Sequence, residues 1–312
     1  MLYVEKRLHR VINDREGRPM RIKRVGTALM LAVLVMGSLL TGNGTAETVT
    51  LLPSLTRDAL LEIAQVAAPP AGVGLQIHAD FPEGAPLVLD GIAMHSLTAD
   101  ITPDGSVLVR SANTATAGGG GMDAVGECDD PTFLPTGVKW AAGTMPIPWH
   151  LDLVSTADEL KWPRTVATIR SAHRIWPQAR TLCDKDAENS FSYEYQGPKR
   201  ANPGYDKVSI VDFGPLGSKA LAVNYTWYQG KDEIVEVDLR LNKIDYKWTN
   251  IDGVDRYNVK NVVAHELGHQ FGLDDLNDPH SSLTMYALIG KAELNKTTLG
   301  RGDMRGAEML SP

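Results

Sequence analysis

Only two cysteines, Cys128 and Cys183, occur in the 312 residues. That is too few for a disulfide framework to stand in for a hydrophobic core, so the fold has to rest on apolar burial. Positive charge is also scarce. The 31 Lys and Arg are outnumbered by 38 Asp and Glu, for a net charge of −7. Without a basic face to displace phosphate counterions, nucleic acid is excluded as a partner. No internal repeat is present, which excludes a solenoid. Apolar runs are short. The longest, Val25 to Leu40, has sixteen residues, fewer than the about 20 that a helix needs to cross the hydrocarbon core, so no stable membrane anchor is expected.

That run reads instead as the core of an export signal. Met1 to Arg24 carries eight Lys or Arg against three acids, the uncharged run follows, and Gly44-Thr45-Ala46 supplies small residues for a signal peptidase. Residues 1–46 are therefore expected to be a signal peptide cleaved after Ala46, with Met20 as an alternative start, and the product secreted. Outside the cell two thiols pair by default, so a Cys128–Cys183 disulfide is expected. Closing a loop of that span stabilises a fold by roughly 4 kcal/mol on the chain-entropy estimate. The other reading of Cys128 is a latency thiolate placed on a metal.

Residues 47–117 alternate short apolar runs with turn signals such as Pro82-Glu83-Gly84 and Pro103-Asp104-Gly105. They are expected to form a small β-rich pro-segment. Four consecutive glycines, 118–121, mark an exposed linker over 118–127, and 128–312 is left as the domain that carries chemistry. There Val166, Ile169 and Trp176 recur behind Pro163, predicting a helix near 164–179. Val235, Val237, Leu239 and Leu241 alternate with Glu236, Asp238 and Arg240, predicting a strand with one buried face. Further strands are expected over Val208–Phe213 and Leu221–Tyr228. The mixture indicates an α/β layer arrangement.

The chemistry concentrates in His265-Glu266-Leu267-Gly268-His269. Asn258 is a good N-cap, and Val259, Val263, Leu267 and Phe271 follow at four-residue steps, so this segment is helical. Four residues apart on a helix, the two imidazoles share one face and can bind one metal ion, with Glu266 beside them. Nitrogen ligands with a nearby carboxylate suit catalytic Zn2+, which takes three protein ligands. Gly272 can end the helix with positive φ and turn the chain back. Asp275 is then the expected third ligand, with Asp274 and His280 competing. No residue pattern supports a structural Ca2+. His9, His78, His95, His150 and His173 have no partner at metal spacing and read as surface or hydrogen-bonded residues.

The run HELGHQFGLDD, His265 to Asp275, resembles the metzincin signature HExxHxxGxxH with aspartate in the last position, as in snapalysin-type metalloproteases. Ser282-Leu283-Thr284-Met285-Tyr286 resembles the Met-turn. Phe213 to Tyr228, Ile234 to Leu241, Trp248 and the tail Leu299 to Gly306 are similar to matrixins, so the likeness spans roughly 130–310. It implies an α+β metzincin-like fold: a twisted mixed sheet packed with an active-site helix and a C-terminal helix. Met285 would lie beneath the zinc. Tyr286 directly follows Met285, as in matrixins, and is not expected to bind metal. Asp303 would support the Met-turn or serve as an ordinary acid at a helix N-terminus.

The implied activity is secreted zinc-dependent endopeptidase, with His265, His269 and Asp275 on the metal and Glu266 as general base and acid. A monomer is expected. The substrate is a protein or peptide bound as an extended strand on an exposed edge within Leu221 to Tyr228. The rival reading is a catalytically silent zinc-containing extracellular binding module.

Overall fold

The computed structural model describes residues 52, 54–114, 124–178, 183, 189–252 and 254–312. The expected signal peptide and the glycine run 118–121 lie outside them. Residues 48–312 cluster as one unit. Thr56 opens helix α1 (Arg57–Ala64), its side chain accepting from Ala59 N at 3.2 Å. A meander follows: β1 (Val73–Asp80), β2 (Leu87–Leu89), β3 (Ile92–Ile101) and β4 (Val107–Thr114). Next come β5 (Lys139–Trp140), β6 (Ile147–Leu151), helix α2 (Trp162–Ala172), β7 (Tyr193–Pro198), β8 (Ser209–Gly214), β9 (Ala222–Gln229) and β10 (Glu233–Asn242). The short pair β11 (Trp248–Thr249) and β12 (Tyr257–Asn258) leads into helix α3 (Val259–Gln270), and helix α4 (Arg301–Leu310) closes the chain.

One mixed sheet runs β2-β3-β1-β9-β10-β8-β6-β7, with β4 also on β3 and β5 on β10. From β7 to β10 the strands are parallel. Strand β9 turns antiparallel to β10, and β1 and β3 continue antiparallel beyond it. The 73–114 strands thus extend the sheet of the later domain. The outer edge of β9, expected to be exposed, is paired with β1 along its length, from Val73 opposite Gln229 to Asp80 opposite Ala222.

The sheet buries both faces. On one, α2, α3 and α4 pack Ile169, Val262, Val263, Leu267, Met304 and Ala307 against Leu151, Val211, Val237 and Leu239. On the other, α1 packs Leu60 and Ile63 with Leu75, Ile77, Leu97, Val223, Tyr225 and Trp227, and Tyr225 donates to Ala64 O at 2.5 Å. The second core corrects the expectation for β10. Its alternate residues Glu236, Asp238 and Arg240 are buried too. They are satisfied in place: Arg240 Nε bonds Asp212 Oδ1 at 2.9 Å, Asp238 accepts from Gly204 N and Ile210 N, and Glu236 accepts from Asp206 N and Lys207 N.

Helix α2 ends before the predicted 179. Its chain turns at His173, and Trp176 reaches across to donate to Ala264 O of α3 at 2.8 Å. Cys128 and Cys183 form a disulfide, which removes Cys128 as a free latency thiol. No helix among the described residues is long and apolar enough to cross a membrane.

Candidate metal centre

Asn258 caps α3 by accepting from Lys260 N at 2.9 Å and Asn261 N at 3.2 Å. The helix is buried nearly all round, as a helix lying between a sheet and other helices must be. His265, Glu266 and His269 are all fully buried. Gly272 adopts φ +95°, and a Cβ there would come within 2.2 Å of Val138 O, so only glycine fits this turn. Beyond it Leu273 N returns to Gly268 O at 3.2 Å, closing the helix with a 6→1 bond, and Asp275 arrives beside the histidines.

Each imidazole is fixed by a carbonyl. His265 Nδ1 donates to Thr284 O at 2.7 Å and His269 Nδ1 to Leu273 O at 2.9 Å. A carbonyl only accepts, so the ring protons sit on Nδ1 and each Nε2 offers a lone pair. The two Nε2 atoms face each other at 3.3 Å. Asp275 Oδ1 lies 3.2 Å from His265 Nε2 and 3.7 Å from His269 Nε2. A fourth group joins them: Asp80, from the end of β1, has Oδ2 at 3.3 Å from His265 Nε2. Donor atoms of Asp80, His265, His269 and Asp275 all lie within 4.8 Å of one another. Ligands at 2.0–2.1 Å from a tetrahedral Zn2+ are about 3.3 Å apart. Lone pairs and carboxylates converging at that spacing, with no donor in hydrogen-bonding geometry to any oxygen of Asp80 or Asp275, fit a cation.

The electrostatics follow the same layout. For His265, burial opposes protonation, but the carboxylates of Asp80 and Asp275 outweigh it and bring its pKa up to about 9. His269 is lowered, chiefly by burial. Burial opposes ionisation of Asp275, yet His269 and His265 hold it below its ordinary value. Glu266 is raised well above its ordinary value by burial and then by the charge of Asp80. A dication brought among these groups would displace the proton from His265 Nε2, leaving that lone pair to the metal, and would favour the ionised forms of both Asp275 and Glu266.

Of the competitors for third ligand, neither joins the cluster. Asp274 Oδ1 accepts from Thr98 Oγ1 at 2.7 Å and Ser111 Oγ at 2.9 Å, and His280 Nδ1 pairs with Asp130 Oδ2 at 2.7 Å. Met285 places its sulfur against Gly268, between the two histidines. Asp303 accepts from Thr284 N at 2.8 Å, Met285 N at 3.2 Å and Gly300 N at 2.8 Å, so it supports the Met-turn and caps α4 at once. Lys296, fully buried, donates to Tyr286 O and reaches Thr284 O at 3.5 Å.

The sequence reading missed Asp80, and it misread His78. His78 is buried and stacks on the His269 ring with centroids 4.2 Å apart. The available signal was the pair His78-x-Asp80, two metal-type side chains at the period of a strand and hence on one face. A family model described as Matrixin, a peptidase family, matches residues 150–311. No curated protein matches the chain.

Proposed function

Because the chain belongs to the matrixin family and is thereby a zinc metallopeptidase acting on peptides, we propose that it is a secreted endopeptidase whose metal is held by His265, His269 and Asp275, with Glu266 as its proton carrier. The observation that carries this is the convergence of two Nε2 lone pairs and the Asp275 carboxylate at 3.2 to 3.7 Å. When bound, Zn2+ supplies Lewis acidity toward the scissile carbonyl and toward water. The chain's own residues do the rest. Thr284 O and Leu273 O hold the imidazoles in register, and Asp275 completes the set with a negative charge. Glu266, one residue from His265, accepts the proton of the attacking water and returns it to the departing amine. Secretion is supported by the sequence of residues 1–46 and is compatible with the disulfide.

The test is metal content and peptide hydrolysis on protein whose 47–117 segment has been cleaved from 128–312. Glu266→Ala should retain Zn2+ and lose about 10²- to 10⁴-fold in turnover. Asp275→Ala should lose metal, whereas His280→Ala should keep it. Equal metal content in all three would remove the assignment of Asp275.

One observation favours the silent binding module as a second reading. Asp80 brings the donors to four, the number found in closed structural sites. Glu266 speaks against it, because a structural site gains nothing from a buried carboxyl with both oxygens unpartnered.

A further inference from the structure

We propose that Asp80 is the fourth zinc ligand and that β1 holds the enzyme latent by lying, as a strand paired to β9, where an extended substrate would pair. This rests on the zinc-site reading above and assigns the segment before residue 118 a specific inhibitory contact. Three observations carry it.

The first is Asp80 itself. Its carboxylate is fully buried, with neither oxygen hydrogen-bonded. It faces His265 Nε2 at 3.3 Å, about the ligand separation of tetrahedral zinc. Asp80 and Asp275 share the single imidazole of His265, so two buried carboxylates face one cation at most, and a metal ion at the centre of the four donors would balance both. With Asp80 bound, the position that hydrolysis requires for water is filled.

The second is the strand. Peptides are bound at sheet edges by main-chain hydrogen bonds, and β1 uses the outer edge of β9 from Val73 to Asp80. Its other edge is closed by β3, with Asp80 opposite Ser96. Alternation sends Val73, Leu75, Ile77 and Ala79 into the α1 core and Gln76, His78 and Asp80 to the α3 side, where His78 covers the His269 ring. No room remains on this edge for a second strand.

The third is a separate anchor. Thr98 of β3 and Ser111 of β4 both donate to Asp274, the neighbour of Asp275. The meander therefore grips the turn that presents the third ligand as well as the ligands themselves. The only cysteine close enough in sequence to play an equivalent part, Cys128, is tied into the disulfide.

The experiment uses the full chain loaded with Co2+ in place of zinc, with acetohydroxamate as a small chelating probe of the fourth position. In wild type the visible cobalt spectrum should not respond to the probe. Asp80→Ala should change the spectrum as a carboxylate is replaced by solvent and should shift further on adding acetohydroxamate. Asp80→Asn, which keeps size and removes charge, supplies the same readings if the alanine variant does not fold. Gly74→Val offers an independent route: a Cβ at Gly74 would meet the Tyr228 ring at 2.2 Å, weakening the β1–β9 pairing with Asp80 intact. It should raise probe access by opening a fraction of the molecules. A wild-type spectrum that responds to the probe as fully as Asp80→Ala overturns the latency proposal and leaves the zinc-site reading standing. Absence of bound cobalt in every form overturns the zinc-site reading instead.

Discussion

Thr284 O illustrates how much of the site depends on single atoms. It orients His265 through Nδ1 and sits 3.5 Å from Lys296 Nζ, while Thr284 N is held by Asp303. Burial raises the pKa of Asp303, and its backbone bonds oppose that rise. Asp303→Ala would leave three backbone donors without their acceptor. It should cost at least about 3 kcal/mol, the upper end of the worth of a single bond to a charged group, and it should weaken metal retention by freeing His265. Urea unfolding with parallel zinc titration measures both. His173 gives a pH prediction. Its ring stacks on Trp149 at 3.8 Å and its Nδ1 donates to Ile169 O, and burial lowers its pKa from 6.5 to about 3. Between those values the unfolded chain binds a proton that the folded chain does not. The stability it contributes is thus complete above pH 6.5 and is lost as pH falls toward 3. One such group accounts for roughly 5 kcal/mol at most. His173→Phe should flatten the acid limb of a stability–pH curve across that window, and an unchanged limb would show that other groups dominate it.

At the scale of elements, α3 was legible because its signals are local: an Asn cap, a four-residue apolar step and two histidines one turn apart. Strand β10 was legible as a strand for the same reason. Its second buried face was not, because Glu236, Asp238 and Arg240 look solvent-directed until the loop at 204–208 and Asp212 supply their partners. Asp80 was hidden for a related reason. It lies 185 residues before His265 in the chain, and only the pairing of β1 with β9 brings them together. The turn after α3 yields a prediction at this scale. Gly272→Ala places a Cβ against Val138 O in a positive-φ conformation. It should destabilise by more than about 1 kcal/mol and displace Asp275, which would be seen as weaker zinc binding along with a lower Tm. A variant that loses stability but binds zinc as wild type would show that Asp275 is positioned independently of the turn.

For the molecule as a whole, the disulfide links residues 55 apart and joins the entry of the later domain to the region after α2. Its reduction should lower stability by roughly 4 kcal/mol on the chain-entropy estimate, read as a shift in unfolding midpoint with and without reductant. The position of β1 has a different consequence. A strand held by β9 on one edge and β3 on the other cannot peel away alone, and the face it shares with α1 covers Val223, Tyr225 and Trp227. Release of Asp80 thus carries the whole meander with it. Unmasking is cooperative, an all-or-none event in each molecule, and a population undergoing it contains closed and open enzymes in changing proportion, with no graded series of partly active ones.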